Sequence, residues 1–331
     1  MRIVTILWLA VLAAGSTGCT TDLDVAFAST ARVANVTSVS LHQDGVLVRE
    51  EYYLRTDADT PHDVRSVTKT VTSLLIGIAI DTGCLTSLDQ TLGELLGNQA
   101  PTDPAKAAIT LRDLLTMSSG FDWFERGVLG YSDWEDNADH VYDVLSRPLV
   151  APPGTVFNYN SGALHLLSVI LTRACAPTPT FAAEHLFGPL GIAPPQLEIF
   201  RDGYANGAAG LQLSTAAMAT VGELMLEHGR LHDAQIVPAA YVDMAMDKQI
   251  AADRDNEGYG YGIWVANDRG GAPYALAEGY GGEFIVVVPR ARAVLVITAN
   301  WSRWGTEATF QAATTFEALL TIIVDQFVPA L

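Results

Sequence analysis

Residues 66–80 read SVTKTVTSLLIGIAI, with a hydroxyl and an amine three residues apart at the start of a long apolar run. The run favours a helix, and positions i and i+3 share one helix face, so Ser66 and Lys69 should be neighbours. Burial disfavours an ammonium, and a neutral lysine can take the proton of a serine hydroxyl. The pair has the form of a nucleophile beside its base, although an N-cap serine followed by a solvated lysine has the same spacing.

The segments on either side of this run indicate where the helix lies in the fold. Val36–Leu41 and Val46–Glu50 alternate apolar and polar residues around a Gln-Asp-Gly turn, which is the pattern of a β-hairpin. Asp81-Thr82-Gly83 ends in glycine and predicts the C-terminus of the helix. We therefore expect a hairpin followed by a buried helix.

The rest of the chain divides by texture. Helical patterns dominate residues 85–202, whereas glycine-rich and β-branched segments follow residue 258. The predicted fold class is α/β (α+β): an antiparallel sheet flanked by helices, formed by residues 30–84 and 203–331, with an inserted all-helical domain at 85–202. Predicted helices are 111–117, 141–145, 162–173, 181–187, 215–227, 238–246 and 306–324, and predicted strands of the C-terminal part are 261–265, 284–288 and 294–298.

The N-terminal residues carry the pattern of an export signal. Arg2 precedes an apolar stretch at 3–14, which is too short to span a bilayer, and small residues then lead to Cys19. We expect residues 1–18 to be removed and the protein to be exported, periplasmic or extracellular. Ser-Thr-Gly-Cys is similar to a bacterial lipoprotein cleavage site with Cys19 as the lipid-bearing residue, and plain secretion is the alternative.

Composition limits the partners. The 331 residues are 49% apolar, which is enough for a sizeable core, and carry a formal net charge of −18. Removal of residues 1–18 takes away Arg2 alone and makes the charge −19. Such a surface repels nucleic acid and anionic lipid, so no nucleic-acid partner is predicted and membrane contact is expected only through Cys19.

Histidine and cysteine patterns add no metal or cofactor. His228 and His232 have the spacing of a helical metal pair, but Gly229 lies between them and no HExxH pattern occurs. No metal and no cofactor are therefore predicted. Cys84 and Cys175 fit either a disulfide, which export would permit, or two separate buried thiols.

Three further segments place reactive or flexible residues at turns. Residues 152–162, PPGTVFNYNSG, form a rigid turn that brings Tyr159 to the start of a helix. Residues 114–123, LLTMSSGFDW, end a helix in small residues. Residues 277–283, AEGYGGE, are expected to begin a strand with glycines that let backbone N–H groups approach a ligand.

With these segments in this order, residues 35–325 resemble the serine β-lactamase and penicillin-binding protein superfamily, particularly its class C-like branch of esterases and 6-aminohexanoate-dimer hydrolases. The shared signature is SxxK at Ser66, a tyrosine motif at Tyr159-Asn160-Ser161 and a glycine-containing strand motif at Ala277-Glu278-Gly279. The resemblance implies a β-lactamase/transpeptidase-like fold and a cofactor-free serine hydrolase that cleaves small esters or amides.

The resemblance also implies roles for individual residues. Ser66 is expected to be the acylated nucleophile and Lys69 its base. Tyr159 is expected to complete the acid–base pair by relaying a proton to the leaving group. The backbone N–H groups of Ser66 and Tyr280 are expected to form the oxyanion hole.

Four other residues are expected to contact substrate. Ser161 and Gly279 belong to the second and third motifs. Trp123 and Tyr131 lie in an acidic loop, residues 122–139, that fits either a cover over the substrate or an anchor on the helical domain.

Two departures from the family pattern bear on the substrate. The tyrosine motif of β-lactamases ends in Asn where this chain has Ser161, although the adjacent Asn160 offers an amide, and their strand motif opens with Lys or His where this chain has Ala277. Because that cation helps to hold the carboxylate of a β-lactam, its loss favours an ester or short amide. A β-lactamase or D,D-carboxypeptidase is the alternative enzyme. The alternative of another class is a penicillin-recognising sensor or binding module without turnover.

Overall fold

The structure is a computed structural model that describes residues 21–125, 130–252, 254, 257–300 and 308–331. The expected export segment and Cys19 lie outside these residues. The strands are β1 Val36–Gln43, β2 Val46–Tyr52, β3 Pro61–Asp63, β4 Gln212–Ser214, β5 Arg230–Leu231, β6 Ala234–Gln235, β7 Ile250–Ala251, β8 Gly258–Tyr259, β9 Trp264–Asn267, β10 Pro273–Gly279, β11 Glu283–Val288 and β12 Ala293–Ala299. The α-helices are α1 Asp22–Thr30, α2 Val67–Asp81, α3 Leu92–Leu95, α4 Pro104–Ala107, α5 Leu111–Leu115, α6 Tyr131–Glu135, α7 His140–Ser146, α8 Ser161–Ala174, α9 Thr178–Ala182, α10 Thr215–Leu226, α11 Ala239–Ala245, α12 Ala308–Ile322 and α13 Val328–Ala330.

Within the described residues an eight-stranded antiparallel sheet has the order β2-β1-β12-β11-β10-β9-β8-β7. Phe284 and Ile285 are neighbours on β11 and so point to opposite faces. On one face, α12 stacks Phe316 on Phe284 with ring centroids 5.1 Å apart. On the other, α10 comes so close at Gly222 that a Cβ there would lie 2.4 Å from Val294 and 2.9 Å from Ile285. The central strands are buried on both faces, which is why their sequences are almost wholly apolar.

The C-terminal helical segment closes one of these faces. Segment Gln311–Ala330 is long and apolar enough to cross a membrane by length and composition alone. In its most apolar stretch, 39% of the residues are buried inside the protein. Leu319 is fully buried against the sheet, and Phe327 packs edge-on against Phe27 of α1 at 5.3 Å. The segment therefore covers the sheet, as its pattern predicts.

Helices fill the middle of the chain. Between α2 and β4 the described residues form α3 to α9, with isolated β-bridges only. α8 packs on both α2 and α5. The helix that begins after Ser66 consequently lies between the sheet and the helical part, which is where an active site reached from both parts can form.

Helix α2 is buried along almost its whole length, from Val67 to Ala79. A Cβ at Gly77 would lie 2.6 Å from the ring of Tyr241, so glycine at this position lets α11 pack directly on α2. The Tyr241 hydroxyl also hydrogen-bonds the Ser73 carbonyl at 2.8 Å. The predicted end of the helix is confirmed, because Gly83 follows its C-cap with φ +80°.

Three elements differ from expectation. α1 has no counterpart among the predicted helices. The strand expected at 261–265 begins only at Trp264, because Gly262 has φ +71° and donates its N–H to the Leu115 carbonyl in a turn. The motif at Ala277–Gly279 ends β10 where we expected it to begin a strand, so the following turn carries Tyr280 at the edge of the sheet.

Candidate active site

Ser66 lies in the turn between β3 and α2. Arg65 has a left-handed backbone with φ +47°, and its N–H donates to Asp63 Oδ1 at 3.0 Å. Ser66 occupies the N-cap position of α2 but makes no side-chain capping bond. Its hydroxyl instead lies 2.7 Å from Lys69 Nζ. The N-cap alternative is therefore excluded for this side chain, and the hydroxyl faces the amine.

Lys69 is buried one helical turn later, with 1% of its surface exposed. Its Nζ donates to the Ala208 carbonyl at 3.0 Å in addition to Ser66 Oγ. Burial lowers the pKa of Lys69 to about 8, because a charged amine loses its hydration there. Glu125 opposes this shift and Arg65 adds to it. At pH 7, one unit below this pKa, roughly a tenth of the amine is unprotonated and able to accept a proton from Ser66.

The carbonyl that accepts from Lys69 belongs to a segment fixed along α2. Asn206 is fully buried, and its Oδ1 accepts from the N–H groups of Ala208 at 3.0 Å and Ala209 at 3.2 Å. Thr72 Oγ1 donates to the Gly207 carbonyl at 2.9 Å. These bonds orient the Ala208 carbonyl toward the amine. Sequence reasoning missed Asn206, since no spacing connects it to Lys69.

Tyr159 borders the same amine from the start of α8. Lys69 Nζ lies 5.0 Å from the centre of its ring. The ring stacks on Trp264 at 5.7 Å with an interplanar angle of 11° and meets Tyr259 edge-on at 6.2 Å. Burial raises the pKa of Tyr159 above its usual value, Glu125 adds to this, and a hydrogen bond with Ser66 opposes it. The phenol thus stays protonated beside the amine of Lys69. The structure brings Ser66, Lys69 and Tyr159 together.

The strand motif packs directly on the turn at residues 64–66, which carries the candidate nucleophile Ser66 and is called the nucleophile turn below. A Cβ at Gly279 would lie 2.4 Å from the Val64 carbonyl oxygen, so only glycine lets β10 approach this closely. Tyr280 follows at once, with 37% of its surface exposed. The expected oxyanion hole, formed by the N–H groups of Ser66 and Tyr280, stays a prediction, and this close packing places the two segments side by side.

The polar groups of Ser161 and Trp123, two of the expected substrate contacts, are hydrogen-bonded to a carboxylate of this chain. Ser161 is fully buried, and both its N–H, at 3.0 Å, and its Oγ donate to the carboxylate of Glu125. Trp123 is 3% exposed, and its Nε1 donates to the same carboxylate at 2.6 Å. A Cβ at Gly162 would lie 2.8 Å from the Trp123 ring, so the indole is an anchor on α8. The Oδ1 of Asn160 caps α8 by accepting from the Ala163 N–H at 2.9 Å, while its buried Nδ2 has no hydrogen-bond partner among the described residues.

Glu125 is the main group that the sequence analysis missed. It lies in the acidic loop that the sequence singled out, but its neighbours in sequence give it no signature. Glu125 is identified only by its contacts in the folded chain, since its partner Ser161 lies 36 residues away in the sequence. The negative charge of Glu125 also raises the pKa of both Lys69 and Tyr159.

A polar cavity of about 230 Å³ adjoins the nucleophile turn. Arg65 forms one wall, pairs with Asp63 at 3.5 Å and lies 5.7 Å from the ring of Tyr131. The Tyr131 hydroxyl accepts from Asn206 Nδ2 at 3.1 Å, so this tyrosine is tied to the site through both residues. The cavity is lined by Asp63, Arg65, Gln196, Leu197, Glu198, Gly210 and Gln212.

Ala277 stands where the family pattern has Lys or His, and the nearby Arg254 is paired with carboxylates. Ala277 is buried with 1% of its surface exposed. Arg254 lies over Trp264 at 3.9 Å, but its guanidinium pairs with Glu278 at 3.0 Å and Glu257 at 3.4 Å. Burial raises the pKa of Glu278 to about 7, and Arg254 opposes the rise. The positive charge at this edge is therefore already balanced by carboxylates.

The histidines belong to the packing and the surface. His165 is fully buried beside Trp134 at 5.4 Å, and burial lowers its pKa to about 3. His228 is exposed and contacts Asp243 Oδ1 at 2.5 Å. Among the residues the structure describes, no group of three or more His, Cys, Asp or Glu is placed to hold a metal ion.

Comparison with known proteins agrees with this geometry. The sequence model of the Beta-lactamase family matches residues 30–320. The chain belongs to the beta-lactamase family. It is therefore a member of the serine hydrolase superfamily of β-lactamase and penicillin-binding protein type, and the resemblance drawn from its motifs is confirmed.

Solved structures of the same family share the fold at low identity. A candidate 6-aminohexanoate-dimer hydrolase from Bacillus anthracis gives a TM-score of 0.73 at 19% identity, covering 88% of this chain and 80% of that one. A candidate β-lactamase from Bacteroides dorei gives 0.73 at 20% identity, covering 93% and 99%. EstCE1, a hydrolase with promiscuous acyltransferase activity, gives 0.68 at 17% identity, covering 89% and 97%.

Curated relatives match over a shorter segment. Two proteins of Dichelobacter nodosus, named as fimbrial assembly proteins FimD of serogroups D and H1, are 34% and 53% identical over 126 residues. That segment is 37% of this chain and 31% of each relative, so the chain spans about a third of their length.

Proposed function

We propose that this family member cleaves ester or amide bonds of small substrates through an acyl-enzyme on Ser66. One observation carries the proposal: the Ser66 hydroxyl lies 2.7 Å from the amine of a lysine that is 1% exposed. A surface lysine would keep its proton, whereas Lys69, whose pKa burial lowers to about 8, can accept one near neutral pH.

The reaction follows from the three side chains. Neutral Lys69 takes the proton of Ser66 as the serine oxygen bonds to the substrate carbonyl carbon. The backbone N–H groups of Ser66 and Tyr280 stabilise the resulting oxyanion. Tyr159 then donates its proton to the leaving alcohol or amine as that bond breaks, and takes up the proton held on Lys69. Water next attacks the ester on Ser66, gives its proton to the same pair and releases the acid and the free serine.

The site favours substrates without a carboxylate. Ser66, Lys69 and Tyr159 do not line the cavity of about 230 Å³ beside Arg65, so the charges around the site indicate the substrate class. Ala277 offers no cation, and Arg254 is paired with Glu278 and Glu257. The printed names of structural relatives include a 6-aminohexanoate-dimer hydrolase and the hydrolase EstCE1, which are compatible with amide and ester substrates.

Active-site labelling tests this proposal. A fluorophosphonate should add to Ser66, located by peptide mass spectrometry, and the protein should hydrolyse p-nitrophenyl butyrate. Both should be lost in Ser66→Ala and kept in Ser146→Ala, which alters an exposed serine outside the site. An adduct that persists in Ser66→Ala would overturn the mechanism.

The same assay separates the competing functions. Nitrocefin turnover as efficient as that of the ester would assign a β-lactamase. It would also contradict the inference that Ala277 leaves the site without a cation for a β-lactam carboxylate. A stoichiometric burst on penicillin without turnover of any ester would favour a sensor or binding module. Slow nitrocefin cleavage with rapid ester hydrolysis is the expected result.

Export is part of the same proposal. It is supported by Arg2, the apolar stretch at 3–14 and the small residues before Cys19. Expression in a bacterial host followed by N-terminal mass analysis should find a mature protein beginning at Cys19 with attached lipid. A chain retained in the cytoplasm with its first residues intact would contradict export, and cleavage without lipid would indicate plain secretion.

A further inference from the structure

Glu125 is held in a fixed position beside the site. One carboxylate oxygen accepts from Trp123 Nε1 at 2.6 Å and from the Ser161 N–H at 3.0 Å, and the other accepts from Ser161 Oγ. Both donor residues are almost completely buried. Three hydrogen bonds from two residues therefore fix the position of the Glu125 side chain.

The Glu125 carboxylate is held at Ser161, two residues after Tyr159, and the centre of the Tyr159 ring lies 5.0 Å from Lys69 Nζ. The carboxylate is therefore held close to both proton-carrying groups of the proposed mechanism. It favours the protonated form of Lys69 and also that of Tyr159. On the lysine, Arg65 from the turn before α2 acts in the opposite direction. On the tyrosine, Glu278 of β10 acts in the same direction as Glu125, and Arg254 acts against them.

The basicity of Lys69 depends on the balance between burial, which lowers its pKa, and the charge of Glu125, which raises it. Burial alone makes the amine of Lys69 easy to deprotonate, but it also makes that amine a weak base for a serine proton. A carboxylate nearby restores basicity, since it stabilises the ammonium formed when Ser66 attacks. Tyr159 gains from the same charge, because a phenol that resists ionisation keeps its proton until the leaving group needs it.

We propose that Glu125 is the positioning residue of the Ser66–Lys69–Tyr159 site: its carboxylate, fixed by Ser161 and Trp123, supplies the negative charge that holds the transferred proton on Lys69. The inference rests on the proposed function and deepens it. It also bears on the departure in the tyrosine motif, since serine at 161 adds a hydroxyl donor to the backbone N–H that contacts Glu125.

Lysine titration tests this without depending on turnover. The chain has three lysines, Lys69, Lys106 and Lys248, so ¹³Cε-lysine labelling gives three NMR signals, and Lys69→Met assigns one of them. In Glu125→Gln the Lys69 titration should move to lower pH by about one unit, the lower end of the effect of an opposite charge nearby. The acid limb of kcat/KM on p-nitrophenyl butyrate should move with it.

Matched variants separate charge from structure. Glu125→Ala removes the charge without asking an amide to accept two donors from Ser161, and it must shift the titration in the same direction. Asp122→Asn removes an exposed charge from the same loop and should leave Lys69 unchanged. Ser161→Ala keeps the charge of Glu125 but removes one of the donors that fix it, so it should shift the Lys69 titration in the same direction as Glu125→Gln, by a smaller amount.

The outcomes distinguish this inference from the proposed function. An unchanged Lys69 titration in both neutral Glu125 variants, in protein whose Ser66 still reacts with fluorophosphonate, overturns the inference alone. Loss of fluorophosphonate reaction at Ser66 in the wild-type protein overturns the proposed function. A shift equal to that of Asp122→Asn also overturns the inference, because it shows a general effect of surface charge.

Discussion

Replacing Gly279 with alanine perturbs the contact between β10 and the nucleophile turn. The added Cβ would lie 2.4 Å from the Val64 carbonyl oxygen and 2.8 Å from the Cβ of Glu283. An ordinary carbon–oxygen contact needs about 3.4 Å, so the strand end must move by roughly 1 Å. Tyr280, the next residue, carries one of the N–H groups expected to bind the oxyanion. A misplacement of about 1 Å at such a group lowers kcat about 100-fold.

Steady-state hydrolysis of p-nitrophenyl butyrate measures this effect, and circular dichroism confirms that the variant is folded. We expect overpacking to lower the free energy of unfolding by about 1–3 kcal/mol, which leaves the protein folded. Gly270→Ala is the control, because a Cβ on this exposed residue would have one neighbour within 4 Å, Asp268 Oδ1 at 3.2 Å. A folded Gly279→Ala protein with kcat within threefold of wild type would refute the placement of the oxyanion hole.

Three more expectations concern the base, the core and the thiols. Because the pKa of Lys69 is lowered to about 8 and the base must be neutral, kcat/KM should rise about tenfold per pH unit toward about pH 8 and then level off; a flat profile from about pH 6 to pH 9 would contradict this. Gly77→Ala places a Cβ 2.6 Å from the Tyr241 ring and should cost about 1–3 kcal/mol in urea unfolding, and an unchanged midpoint would show that α11 shifts freely. Cys84 and Cys175 are free half-buried thiols in hydrogen-bond contact, and burial together with Cys84 raises the pKa of Cys175 to about 12. Oxidised glutathione should join them in one disulfide detectable by peptide mapping, whereas two separate glutathione adducts would show that they cannot pair.

Local patterns predicted the elements that carry the reactive groups. The hairpin β1–β2 and helices α2, α8 and α10 follow their predicted ranges within a few residues, because apolar periodicity and capping residues act over one or two turns. The 277–279 motif was placed at the wrong end of its strand. Glycine there reports a close approach of two segments, and the sequence does not show from which side the second segment comes.

The candidate substrate contacts show a similar limit. Trp123 and Ser161 were expected to contact substrate because of their sequence positions, but their polar groups are used by Glu125. Whether an indole N–H or a hydroxyl faces solvent or a buried carboxylate depends on chain segments that meet only after folding. Tyr131 stays a predicted contact, since it lies against Arg65 at the wall of the cavity.

The sequence by itself determined the family and singled out Ser66 and Lys69 as candidate nucleophile and base, because helix geometry brings residues three apart onto one face wherever they occur. Only the tertiary structure decided the environment that would let Lys69 act as the base of the proposed mechanism. Its amine is desolvated by the surrounding core, is oriented by the Ala208 carbonyl 139 residues away, and is balanced by the charge of Glu125. Hydration and Coulomb interactions depend on distances in space, so the basicity of Lys69 is a property of the folded chain.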